Sequence, residues 1–257
     1  MGWFGKLIGG TTGFFIGGPI GAILGAVIGH GFDKRAEIQQ NSDRRSYSNQ
    51  TFTSNDQSQM IFFVATFSML GKMAAADGKV SSEEIRIIEE FIDRNLRLNI
   101  SEKQFAMRIV NTSATSPEPF EKFSQQFYSL FYSQPEMLQT MYDILYKVAA
   151  ADNRLTPNEE KILDSAKKIF NLQSRESRTN YNTGTSASSN DKYYSALDCT
   201  RADNNDTIKA AYKKLVKDYH PDIIASKGLP EEFTKFSAQK FREINEAYEE
   251  IRKERNF

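Results

Sequence analysis

His220, Pro221 and Asp222 follow one another directly behind a stretch that carries Lys209, Lys213, Lys214 and Lys217. An imidazole and a carboxylate two residues apart can trade a proton, or can make paired directional hydrogen bonds to another molecule. Catalysis by such a pair needs a nucleophile motif or a metal-ligand cluster beside it. The sequence supplies neither, and its only other histidine is His30. Recognition is therefore the chemistry these residues favour: the lysines suit an acidic surface, and Tyr212 stands between them and the apolar side of the same stretch.

The elements that must position these groups can be read from spacing. Ile208, Ala211, Leu215 and Tyr219 recur every three or four residues, which predicts one apolar helix face, while Lys209, Lys213 and Lys217 climb another with Lys214 beside them. Asn204 is placed to cap this helix, and Pro221 biases His220 away from helical geometry, so the tripeptide is expected in a loop at the helix end. A second helix is expected from about Glu232 to Arg252. Phe233, Phe236, Phe241, Ile244, Tyr248 and Ile251 would form a single inward face that packs antiparallel on the first.

Tyr193–Leu197, the lysine-bearing helix, His220-Pro221-Asp222 and Phe241–Tyr248 resemble, in that order, helix I, helix II, the signature loop and helix III of a DnaJ-type J domain, over about residues 191 to 257. With Lys227-Gly228-Leu229-Pro230, the apolar N-terminus and the Gly29–Lys34 turn, the chain resembles the membrane-anchored DnaJ-like co-chaperones of the DjlA type. The resemblance implies an ATP-dependent heat-shock chaperone of the DnaK type as partner. Lys209, Tyr212, Lys213, Lys214 and Lys217 would then meet an acidic surface, and His220, Pro221 and Asp222 would favour the partner's ATP-hydrolysing state, the chain itself doing no covalent chemistry. Two residues depart from the family pattern: Asp218 is acidic where helix II is usually basic, and Ile223-Ile224 follow the tripeptide where a basic residue is usual.

Charge, cysteine usage and the ends of the chain narrow the class. Lys plus Arg and Asp plus Glu number 33 each among 257 residues, without the basic excess that nucleic-acid binding asks for. The single cysteine, Cys199, excludes an intramolecular disulfide and a zinc cluster, and it stands where a core residue would pack.

From Leu7 to Gly29 no side chain is charged, long enough for a helix rising about 1.5 Å per residue to cross a hydrocarbon core of about 30 Å. Gly5, Gly9, Gly13, Gly17, Gly21, Gly25 and Gly29 lie at every fourth position. They form the ridge by which two helices approach closely, so a homodimer through Gly9, Gly13, Gly17, Gly21 and Gly25 is expected. A hairpin broken at Gly17-Gly18-Pro19 is a competing reading, and a cleaved signal peptide lacks an A-x-A site after Ile28. Lys34, Arg35, Arg44 and Arg45 behind the run expect the bulk of the protein in the cytoplasm and the N-terminus outside.

The middle of the chain carries an internal repeat. Ala74-Ala75-Ala76-Asp77-Gly78-Lys79-Val80-Ser81 returns 75 residues later as Ala149-Ala150-Ala151-Asp152-Asn153-Arg154-Leu155-Thr156, and each copy runs on to a glutamate, Glu84 or Glu159. Both copies read as a helix end followed by a capping box, Ser81 with Glu84 and Thr156 with Glu159. An EF-hand is excluded, because Met73 and Ala75 occupy the first ligand positions in one copy and Val148 and Ala150 in the other. The arrangement looks like the TerB domain of tellurite-resistance proteins, which implies a divalent cation at Asp77, Glu84, Asp152 and Glu159 as the alternative to capping. No other cofactor is expected.

The whole reads as an all-α chain: a transmembrane helix in 1–32, a polar linker in 33–58, a TerB-like helical domain of two pseudo-repeats in 59–172, a flexible linker in 173–190, and a J-domain hairpin in 191–257. The expected function is a co-chaperone at the cytoplasmic membrane. A TerB-type membrane scaffold for stress signalling with a secondary J module is the rival.

Overall fold

The structure is a computed structural model, and it describes residues 17–36, 53–78, 80–151, 155–172 and 191–257. Among these every regular element is helical, as expected. In chain order they are α1 (Gly18–Ala36), α2 (Ser54–Ala74), α3 (Ser82–Phe91) continued by a π-helical turn Ile92–Leu96, and α4 (Ile100–Ala114). There follow α5 (Phe120–Phe131), α6 (Pro135–Ala149), α7 (Pro157–Ile169), α8 (Asp191–Ala196), α9 (Asn205–Tyr219), α10 (Pro221–Ser226) and α11 (Glu231–Arg255).

Helix α2 is the axle of the middle domain. Met60, Phe62–Leu70 and Met73 are buried on all sides, which a helix this densely apolar requires, and α1, α4, α5 and α6 pack around it. Capping fixes where the helices begin. Ser81 and Thr156 each accept the backbone N–H of the third helical residue, and Glu84 and Glu159 each accept the N–H of their cap, both boxes as expected. The same device opens α2 at Thr53 with Asp56 and α4 at Asn99 with Glu102. Gly78, just past the end of α2, takes the left-handed conformation, at φ +91°.

The apolar N-terminal run does not form one continuous helix through Gly17. Gly18 is left-handed at φ +73°, Pro19 has no N–H to donate, and α1 begins there. Gln126 of α5 serves as a cap borrowed from another helix: its side chain accepts the Ile20 N–H at 2.9 Å and donates to the Gly17 carbonyl at 2.5 Å. Ile20, Ile23, Leu24 and Val27 then bury themselves in the core of the middle domain. No helix of the described residues is long and apolar enough to cross a membrane, and the run before Gly17 lies outside them.

The C-terminal unit has its own core of Tyr194, Leu197, Cys199, Ile208, Leu215, Tyr219, Ile244, Ala247 and Ile251, formed by α8, the residues just after it, α9 and α11. The expected single inward face of α11 is divided. Ile244 and Ile251 pack on α9 as expected, but Phe233 and Phe236 belong to the core of the middle domain, together with Ile224 and Leu229. Length is the physical reason. At about 1.5 Å per residue, the 25 residues of α11 outrun the 15 of α9, so its first turns find their partners elsewhere.

Candidate partner-docking surface

Asn204 caps α9 as its position suggests, its side-chain oxygen accepting the Thr207 N–H at 2.8 Å. The helix ends at Tyr219 because His220, ahead of proline, is extended at φ −60°, ψ 129°. The tripeptide is not a free loop, however. His220 caps the next helix, with Pro221 and Asp222 forming the first turn of α10, so the tripeptide is held between two helix ends.

His220 Nδ1 accepts the Asp222 backbone N–H at 3.2 Å, which leaves Nε2 as the ring's donor. The Phe241 ring stands nearly perpendicular to the imidazole, with ring centres 5.8 Å apart, and packs against it. The Asp222 side chain is 92% exposed and that of His220 42%, so both are open to solvent from a fixed frame.

Lys213, Lys214 and Lys217 are exposed on the turns that lead to the tripeptide. Lys209 is only half-exposed, its ammonium lying 4.8 Å from the centre of the Phe257 ring. Tyr212 stacks on Tyr248 with ring centres 3.8 Å apart and donates its hydroxyl to Asn245 at 2.8 Å. Burial, then the neighbouring Tyr248 and Glu249, raise its hydroxyl above the usual phenol range. Tyr212 thus braces the helix pair beneath the lysines. Cys199 is buried, as a core thiol should be.

One stabilising group gives no signal in the sequence. Arg255, in the last turn of α11, donates to the Tyr194 hydroxyl at 2.9 Å, the Asp203 carbonyl at 2.6 Å and the Arg201 carbonyl at 2.7 Å, and so ties α8 and the start of α9 to the end of the chain. It reads in sequence as one more exposed base.

The two repeat turns of the middle domain do approach each other: Asn158, in the first turn of α7, donates to Asp77 at 2.6 Å. Glu84 and Glu159 are engaged in their capping boxes, and Asp152 lies outside the described residues. Among the described residues no three His, Cys, Asp or Glu side chains group as metal ligands. Of the glycine ridge, Gly9 and Gly13 fall outside the described residues, Gly21 is half-buried, and Gly17 and Gly25 are exposed with open space where a Cβ would stand.

Three family models match the chain in order: the co-chaperone DjlA transmembrane domain over residues 1–49, the tellurite resistance protein TerB over 63–180, and the DnaJ domain over 192–256. Co-chaperone protein DjlA of Coxiella burnetii is 31% identical over 100% of this chain and 99% of its own. That of Photobacterium profundum is 29% identical over 99% of each chain, and that of Escherichia coli K12 is 26% identical over 100% of each. No solved structure matches. With 31% identity running end to end, and the three modules in their order, the chain belongs to the DjlA family of DnaJ-like co-chaperones.

Proposed function

We propose that the protein is a co-chaperone of the inner membrane that stimulates ATP hydrolysis by a DnaK-type heat-shock chaperone. The observation that carries this reading is the state of the tripeptide. Asp222 is almost wholly exposed, and the half-exposed His220 ring, its Nδ1 taken up by the Asp222 N–H, packs on Phe241 one turn beyond Lys217. A fixed, polar, solvent-facing corner beside a cationic helix suits a directional contact with an acidic surface. Stimulation follows if that contact is stronger in the partner's hydrolysing state than in its resting one.

The match of residues 1–49 to a transmembrane-domain model and the uncharged run from Leu7 to Gly29 support a single-pass anchor with its N-terminus outside. Crossing as one helix requires α1 to leave the surface where it now buries Ile20, Ile23, Leu24 and Val27. The glycine ridge supports pairing of two such anchors, which would present two J domains to one client region.

The test uses the full chain in lipid nanodiscs with the host's DnaK-type chaperone. ATP turnover should rise with the parent protein and stay basal with His220→Gln. Equal stimulation by the variant, or none by the parent, rejects the proposal.

A further inference from the structure

The first turns of α11 and the loop before them are seated in the middle domain. Phe233 is fully buried, with its ring 5.0 Å from Phe62, 6.1 Å from Phe63 and 6.3 Å from Phe67. Phe236 is buried 5.9 Å from Phe91, under the Lys147 ammonium at 5.5 Å. Polar contacts frame these rings. Gln59 donates to the Leu229 carbonyl at 3.4 Å, Lys227 pairs with Glu136 at 3.6 Å, and Gly228, left-handed at φ +72°, packs so closely on Asn55 that a Cβ there would collide with it. Of the residues expected to meet the partner, Lys213, Lys214, Lys217, Pro221 and Asp222 are exposed, and Lys209, Tyr212 and His220 are half-exposed.

We propose that the TerB-like domain is an intramolecular receptor for the J domain. The seat formed by α2, α6 and the Ile92–Leu96 turn takes the Phe233-x-x-Phe236 face, and it aims the tripeptide and lysines in one fixed direction. Buried aromatic packing supplies the attraction, and the Lys227–Glu136 pair and the Gly228–Asn55 contact fix the register. Being parts of one chain keeps the two domains at an effective concentration on the order of millimolar, so even a weak intramolecular contact is mostly closed. The seat leaves the docking surface open, so it sets where the J domain points and does not hide it. This inference stands whether or not the partner is of the DnaK type.

The test measures distances between spin labels in the full chain in nanodiscs, with Cys199→Ala removing the native thiol and labels at the exposed positions Lys122→Cys and Glu246→Cys. The parent should give one narrow distribution. Phe233→Asp should broaden it. Lys227→Glu should add a population of longer distances that Glu136→Lys in the same chain removes. A broad parent distribution overturns the proposal, as does a narrow one in Phe233→Asp that keeps its helical circular dichroism. Should Phe233→Asp unfold the chain, the charge pair decides: no change with Lys227→Glu overturns the seat, and loss followed by rescue supports it.

Discussion

Phe233 meets Phe62 edge to face, 5.0 Å between ring centres, so a helix of the J domain contributes to the aromatic core of its neighbour. Removing that ring empties a space lined by Phe62, Phe63 and Phe67. Phe233→Ala should cost about 3–5 kcal/mol, the range for deleting a buried phenylalanine. Thermal unfolding followed by circular dichroism should show the loss in the transition of the TerB-like domain. A loss confined to the J domain would mean that the ring stabilises only its own helix.

The lysines leading to the tripeptide should act on encounter more than on the bound state. Replacing Lys213, Lys214 and Lys217 together by alanine is expected to slow association with the chaperone by roughly tenfold or more at low salt and to flatten its salt dependence. Because these side chains are exposed, the melting temperature should hardly move. Stopped-flow association at low and high salt reads both effects; an unchanged salt slope would remove the lysines from the docking surface.

Seating should depend on pH through Glu232. Burial raises its carboxyl above the usual range; Glu102 and Glu231 push the same way, while Lys235 and a backbone hydrogen bond oppose them. A carboxyl whose value is higher when seated favours the protonated, seated form. Seating is therefore tightest below the ordinary carboxylate value and weakens as pH rises through the raised one. Glu232→Gln should keep the seat closed at neutral pH as firmly as the parent in mild acid, and interdomain label distances across that interval would show it. A parent distribution independent of pH would exclude this role.

Glu84 and Glu159 close capping boxes, so alanine at either should cost about 0.3–1.5 kcal/mol. We expect those losses to be the same with and without added calcium, zinc or manganese in chemical denaturation. A loss that grows only when the metal is present would give Asp77, Glu84, Asp152 and Glu159 the cation role instead.

Bulky residues on the glycine ridge separate contacts within the chain from contacts between chains. Nothing lies within 4 Å of a Cβ built on Gly17, Gly25 or Gly29, so leucine at Gly25 and Gly29 should leave the fold intact. If two anchors pair through this ridge, crosslinking in membranes should fall sharply while melting is unchanged. Undiminished crosslinking would place the dimer contact elsewhere.

Much of this was legible in the sequence because it is local. The caps at Ser81, Thr156 and Asn204, the left-handed Gly78 and the break before Pro221 depend on neighbours within a few residues, and each stands where spacing puts it. The division of the α11 face was not legible. Phe233, Phe236, Ile244 and Ile251 share one helical stripe, and periodicity reports which side a residue is on, never which neighbour covers it. The excess length of α11 over α9 was the available clue. Arg255 escaped for a related reason, since two of its four acceptors are backbone carbonyls, which no sequence pattern marks.

Phe257 lies beneath the Lys209 ammonium, so its ring rests against the flank of the cationic helix. Any affinity handle fused behind it would crowd the groups an incoming chaperone must reach, and an acidic handle would neutralise them. Binding measured with such a fusion would understate the contact, so a handle is better placed away from Phe257.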